Sequence, residues 1–269
     1  MSDDRSQGLL RNKTFYIRTA TGFVMTCLLV AIFTLGYDVM AIFFLVLSLL
    51  AAFELNRVLN NGWGALSIIS YAAVFSHYIF IRFFTEAKFF TYNHYISKGI
   101  VEQSDVAADN FTLASIYIIL IYVVALILML GVFVLSYPKY ELQQVFGAFL
   151  GIFYTGVTLS LLYLLRITPP YGAYLVWLAV LSSWGCDIPA YFFGMKLGKH
   201  QLVPRLSPKK SVEGAIGGVF GSVCFAVIYG FCVQQYVPDI QYAPLVFGCF
   251  CLVGAVVSQI GDLAASAIK

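Results

Sequence analysis

Long apolar runs, separated by short polar segments, recur from one end of the chain to the other. Each run approaches the ~20 residues that an α-helix needs to cross the hydrocarbon core of a membrane. A membrane β-barrel would show shorter segments of alternating polarity instead. The pattern therefore predicts an all-α fold, a polytopic membrane helical bundle of about eight transmembrane helices. The predicted spans are residues 20–36, 38–54, 63–84, 112–136, 145–165, 172–194, 214–234 and 242–262.

Composition agrees with this class, because 61% of the residues are hydrophobic and 11% are charged. Soluble domains are about one quarter charged, so a soluble globule is excluded. The first apolar run follows a basic leader but lacks a small-x-small cleavage site, and we interpret it as a spanning helix. The cysteines all lie in apolar runs without metal-ligand spacing, which is typical of small buried hydrophobic residues.

Two polar segments are longer than the rest: 85–110 is net acidic and 196–213 is strongly basic. If the N-terminus is cytoplasmic and the spans alternate, most lysines and arginines fall on the cytoplasmic side, as the positive-inside rule requires. We therefore predict one integrated membrane domain with a cytoplasmic N-terminus. Residues 1–170 supply N-terminal transmembrane helices, and residues 171–269, with a cytoplasmic basic loop at 196–213, carry the candidate catalytic groups.

Asp187 is an ionisable residue inside the sixth predicted span. Such residues are costly in a membrane and mark candidate functional sites. Ser183 and Tyr191 follow the same helical spacing and share its face. The alternative is a structural role for Asp187 as the partner of a lysine on another helix.

Asp262 ends the last predicted span and shares a polar stripe with Ser258, Ser266 and Lys269. A carboxylate, a hydroxyl and an amine on one helix face can hold a magnesium ion with a phosphate group, because Mg²⁺ prefers oxygen ligands and the amine neutralises phosphate charge. The alternative is that Asp262 is simply solvated at the membrane interface.

The basic segment contains the stretch RLSPKKSVEGAIGG. Ser207 and Pro208 have the pattern of a helix N-cap followed by proline at the first helical position. Lys209 and Lys210 would then lie at a helix N-terminus, where anions bind. Glu213 is a possible metal or lysine partner. Phosphate binding competes with two other roles for the lysines, snorkelling and contact with anionic lipid.

Behind this segment, small residues form two helical stripes, one of Gly214, Gly218 and Ser222 and one of Gly217 and Gly221. This spacing is typical of helices that pack closely in membranes. The chain contains neither a P-loop nor a Rossmann glycine motif.

Three blocks occur in order: CDIPAYFFGMKLGKH, LSPKKSVEGAIGG and SQIGDLAASAIK. Together they resemble the phosphatidate cytidylyltransferases, also called CDP-diacylglycerol synthases, over roughly Ser182 to Lys269. The resemblance implies a cell (inner) membrane enzyme that converts phosphatidate and CTP into CDP-diacylglycerol and pyrophosphate with Mg²⁺ or another divalent cation. It also implies a site that opens to the cytoplasm and to the lipid. The expected partners are CTP and phosphatidate, with no nucleic acid and a possible homodimer.

The resemblance assigns metal binding to Asp262 and places Ser266 and Lys269 at the start of the family's C-terminal signature. With Asp187 from the charge argument, the expected catalytic residues are Asp187, Ser266 and Lys269. The expected substrate-binding residues are Ser207, Lys209, Lys210, Ser211, Glu213 and Gly214. Transfer to the α-phosphorus of CTP needs charge neutralisation and alignment rather than a covalent intermediate.

The sequence departs from the family pattern in two ways. The family signature continues beyond its Ser-x-x-Lys with further acidic residues, and Ala264–Ala265 stand where an acidic residue is common. We therefore expect these 269 residues to hold an incomplete metal site. Three alternatives stay open: a CTP-dependent lipid or polyprenol kinase, a transporter that uses Asp187 and Asp262 as a cation relay, and a non-catalytic truncated membrane protein.

Overall fold

A computed structural model describes residues 21–22, 24–98, 105–168 and 171–268, with backbone alone for 85–98, 105–115, 209 and 268. The described chain is almost entirely helical. Its helices are α1 (Val24–Leu35), α2 (Tyr37–Val58), α3 (Ala65–Lys98), α4 (Asp105–Leu135), α5 (Leu142–Ile152), α6 (Thr158–Ile167), α7 (Gly172–Leu197), α8 (Val212–Tyr236) and α9 (Ala243–Ile268), and a π-helical turn (Phe153–Val157) joins α5 to α6. The strands are β1 (Gln201–Val203) and β2 (Ser207–Ser211).

Seven helical segments of the described chain are long and apolar enough to cross a membrane. Apolar runs become helices because lipid offers no hydrogen-bond partners to the backbone, so each segment must satisfy its own N–H and C=O groups. The prediction of an all-α, multi-pass membrane bundle is confirmed. The predicted first span, 20–36, lies partly outside the described residues, and its described part, α1, is shorter than the seven.

The polar segment 85–110 is not the long loop that its composition indicates. Helix α3 continues to Lys98 and helix α4 begins at Asp105. The stretch 85–98 contains neither glycine nor proline. This stretch therefore contains no helix-breaking residue, and α3 can continue beyond its apolar part.

The described residues of Met1–Tyr163 form one compact unit. Its interior holds polar side chains that bond across helices. His77 is 2% exposed, and its ring nitrogens lie 2.8 Å from the Tyr122 hydroxyl and 2.8 Å from Ser160 Oγ. Ser48 Oγ donates to the carbonyl of Thr155, inside the π-helical turn, at 2.9 Å. Hydrogen bonds of this kind join helices where hydrophobic attraction between them is weak.

The described residues of Leu164–Lys269 form a second compact unit, in which α7, α8 and α9 pack together. The small residues of α8 face α7, as their spacing predicts. A Cβ added at Gly218 would lie 2.8 Å from the carbonyl oxygen of Cys186, and one at Gly221 would lie 2.3 Å from Pro189 Cγ. Ser222 Oγ donates to the carbonyl of Leu181 at 2.9 Å. The absence of side-chain bulk therefore lets these two helices touch.

Candidate functional site

The basic segment between α7 and α8 folds as an antiparallel hairpin. Gln201 pairs with Ser211 and Val203 pairs with Ser207, with an irregularity in register between them. The predicted helix start at Ser207 and Pro208 is wrong, because these residues lie in β2 and α8 begins at Val212.

A second serine explains this difference. Ser211 is extended and caps α8, since its Oγ accepts a hydrogen bond from the N–H of Gly214 at 3.1 Å. Proline has no backbone N–H but is compatible with the edge of a short sheet. The Ser-Pro pair therefore extends the strand, and the serine four residues later supplies the cap.

The hairpin carries Lys210 to the end of helix α9. The Lys210 ammonium forms an ion pair with the Asp262 carboxylate, with side-chain exposures of 31% and 58%. Asp187, on α7, interacts electrostatically with both Asp262 and Lys210. We call Asp187, Lys210 and Asp262 the polar cluster. Three separate segments thus place two carboxylates and one amine within electrostatic reach of one another, and the side chains of Lys210 and Asp262 are partly exposed.

Glu213 does not join the polar cluster, although the sequence places it near the lysines. Its Oε2 accepts the backbone N–H groups of Lys199 at 3.1 Å and His200 at 3.3 Å. Its Oε1 lies 2.7 Å from His200 Nδ1. The N–H of Val212 also donates to the carbonyl of His200, at 2.9 Å. Glu213 therefore holds the entry of the hairpin against the first turn of α8.

Gly214 lies at a close contact between α7 and α8. A Cβ at this position would lie 2.8 Å from the carbonyl oxygen of Ala190 and 3.1 Å from Gly194 Cα. The same Cβ would lie 2.9 Å from Ser211 Oγ, the cap of α8. Gly214 and Ser211 therefore fix the start of α8 and, through it, the position of β2.

The remaining predicted residues lie in different surroundings. Ser266 Oγ donates to the backbone carbonyl of Asp262 at 2.9 Å, one turn earlier on the same helix. Ser207 lies at the start of β2, paired with Val203. The side chain of Lys209 and the whole of Lys269 fall outside the described residues.

Gln259 is a site residue that the sequence reasoning missed. Its Nε2 donates to the carbonyl of Ala215 on α8 at 3.0 Å and lies 3.2 Å from Cys186 Sγ on α7. It therefore ties three helices together one turn before Asp262. The sequence feature that could have identified Gln259 is its position as a lone amide in an apolar span, since polar groups are costly there and need partners.

The polar cluster has the donor chemistry for a magnesium ion. Mg²⁺ is usually held by one or two carboxylates together with phosphate oxygens of the substrate. Asp187 and Asp262 supply two such carboxylates. Within the described ranges, no group of three or more His, Cys, Asp and Glu side chains could hold a metal. A divalent cation at these two carboxylates would have to take its other ligands from substrate and water.

Comparison with known proteins shows which family the chain belongs to. Residues 16–269 match the model of the family described as "Cytidylyltransferase family". Proteins named phosphatidate cytidylyltransferase from Thermotoga maritima, Brucella abortus and Bacillus subtilis are 35%, 38% and 33% identical over 113, 121 and 145 residues. These matches cover 42%, 44% and 54% of this chain and 42%, 42% and 52% of the relatives. The chain thus spans about half the length of the curated relatives it matches, and by its family match it belongs to the Cytidylyltransferase family.

Proposed function

We propose that this protein transfers CMP from CTP to phosphatidate, giving CDP-diacylglycerol and pyrophosphate. The observation that carries the proposal is the ion pair of Lys210 with Asp262, with Asp187 close enough to interact electrostatically with both. The names of the relatives support the choice of substrates.

The reaction forms one bond and breaks one bond at phosphorus. A phosphate oxygen of phosphatidate attacks the α-phosphorus of CTP, and the bond from that phosphorus to the oxygen bridging to the β-phosphate breaks. Pyrophosphate leaves with the electron pair, so a deprotonated phosphatidate needs no proton transfer. The difficulty is electrostatic, because two anions must come together.

Lys210 is the group best placed to reduce this repulsion. Its ammonium is a compact charge on a flexible stem and suits phosphate oxygens. Phosphate would replace the Asp262 carboxylate as the partner of Lys210. A divalent cation held by Asp187 and Asp262 would neutralise further phosphate charge. We also propose that Lys209 and Lys269 add positive charge and that Ser207 and Ser266 bind substrate oxygens.

The proposed location is the cell (inner) membrane, with the N-terminus and the hairpin on the cytoplasmic side. On this proposal the hairpin, which joins the ends of the apolar helices α7 and α8 and carries Lys210, lies at the level where a membrane meets water. The excess of basic residues on this side supports the orientation. A lipid phosphate and a soluble nucleotide can meet only at such a level.

The test uses the full-length protein in vesicles with phosphatidate, CTP and Mg²⁺. We expect CDP-diacylglycerol and pyrophosphate in equal amounts, no turnover with excess EDTA, and no turnover in Asp262→Ala. Asp239→Ala is the matched control, because this exposed aspartate lies between α8 and α9 at the opposite end of both helices. Release of CDP with a newly phosphorylated lipid would indicate a kinase instead. Full activity of Asp262→Ala would overturn the assignment of the site.

A further inference from the structure

Residues of α8 and α9 line an apolar groove. Its floor consists of three half-buried residues spaced four apart on α8: Ala215, Val219 and Val223. Its rims are Ile216, Phe220 and Leu252, which are 66%, 64% and 50% exposed. The groove has a volume of about 420 Å³, within the range of small-molecule sites.

One end of this groove adjoins the polar cluster. Gln259 lines the groove at the level of Ala215, to whose carbonyl its side chain is bonded at 3.0 Å. Asp262 follows Gln259 by three residues, which corresponds to about 4.5 Å along a helix. The groove therefore leads from the Lys210–Asp262 pair into the apolar part of the helices.

The length and the direction of the groove match one leaflet of a membrane. The floor extends from Ala215 to Val223, eight residue steps that span about 12 Å at 1.5 Å per residue. Half of the hydrocarbon core is about 15 Å thick. The groove starts in the first turn of α8, beside the charged hairpin, and ends near the middle of that helix.

We propose that this groove binds one acyl chain of the phosphatidate substrate, so that its phosphate lies beside Lys210. The inference rests on the proposed function and names the part of the protein that presents the lipid. Charge complementarity selects the lipid, because an anionic headgroup at the end of the groove beside the hairpin would meet the Lys210 ammonium. The floor accepts a chain because it offers only apolar side chains, and the Gln259 amide is already engaged with Ala215 and Cys186.

Photolabelling tests the groove without turnover. The full-length protein in phosphatidylcholine vesicles is exposed to phosphatidate that carries a diazirine in one acyl chain, without CTP. Mass spectrometry then locates the labels. We expect labels within 215–223 and 252–259, displaced by unlabelled phosphatidate and not by phosphatidylcholine.

Two tryptophan variants on adjacent residues of α9 provide the matched comparison. Leu252→Trp fills the groove, whereas Val253→Trp places the same bulk on a residue that does not line it and is 60% exposed. We expect Leu252→Trp to reduce specific labelling and to raise KM for long-chain phosphatidate by about tenfold, with kcat retained, and Val253→Trp to change neither.

Each outcome supports or overturns the proposal that the groove binds an acyl chain. Labels that both lipids displace equally would identify ordinary surrounding lipid, and an absence of labels within 215–223 and 252–259 would show that no acyl chain enters the groove. Either result, or equal losses in the two variants, overturns the proposal. Specific labelling without nucleotide turnover would support lipid binding in the groove and reject the proposed function. Turnover with unselective labelling would support the proposed function and reject lipid binding in the groove.

Discussion

The ion pair between Lys210 and Asp262 allows a structural role to be separated from a catalytic one. Both side chains are partly open to solvent, at 31% and 58% exposure. A pair this exposed contributes about 0–1 kcal/mol to stability, and salt screens it further. If Lys210 instead neutralises charge that develops at phosphorus, its removal costs about 3–4 kcal/mol in the transition state, or 10²–10³ in kcat/KM.

We therefore expect Lys210→Met to lower kcat/KM by about 10²–10³ while the midpoint of thermal unfolding shifts by at most about 4 °C. The assays are pyrophosphate release in vesicles and unfolding in detergent micelles. Asp38→Asn is the matched control, because it removes an ion pair to Arg82 with similar exposures, 30% and 69%, in the other compact unit. This control should keep its activity.

A charge exchange completes the test. In the double variant Lys210→Asp with Asp262→Lys the ion pair can form again with its partners reversed. Stability should return to that of the native protein, and activity should stay lost, because the ammonium and the carboxylate that we propose binds the metal have changed places. Activity restored by the exchange would refute the reasoning, as would an activity loss in Lys210→Met that unfolding fully accounts for.

Three further predictions concern the supports of the site and the other unit. Glu213→Gln should lower kcat/KM by about tenfold, since an amide cannot accept from both the hairpin N–H groups and His200 as the carboxylate does; His200→Ala, which leaves the backbone bonds, should have a smaller effect in the same pyrophosphate assay. Gly218→Val should destabilise the protein by about 1–3 kcal/mol, because its side chain meets the backbone of α7; Gly131→Ala, where a Cβ meets nothing within 4 Å, should leave thermal unfolding unchanged or raise its midpoint. His77→Phe should cost about 1 kcal/mol in the free energy of unfolding by leaving the Tyr122 hydroxyl without its partner, and an unchanged midpoint would contradict this.

The apolar runs could be assigned as helices from the sequence because lipid leaves the backbone few alternatives. The close contact of α7 and α8 was also predictable, since Gly218 and Gly221 follow the spacing of small residues at membrane interfaces. The extension of α3 to Lys98 was not predictable from hydropathy. A helix outside the lipid depends on propensity and packing, and composition alone indicates a loop there.

In the candidate site, the hairpin is the part that local sequence patterns could not predict. Ser207 and Ser211 both carry the chemistry of an N-cap, and the choice between them depends on pairing with β1 and on the Glu213 bonds to Lys199 and His200. The bonds of Glu213 join residues that lie too far apart in the sequence for a short-range pattern to reveal. The Lys210–Asp262 contact joins residues 52 positions apart, which no spacing rule could supply.

The position of the cap bears on how phosphate would bind in the proposed site. A helix that began at Ser207 would present free N–H groups to an anion beside both lysines. In the structure the N-terminus of α8 is already engaged, because Ser211 accepts the N–H of Gly214 and the Glu213 carboxylate supplies negative charge in the first turn. The helix end therefore cannot replace a lost lysine. Because Lys210 is the described side chain that pairs with Asp262, phosphate binding in the proposed site would depend on it, and its removal should cost far more activity than an exposed ion pair contributes to stability.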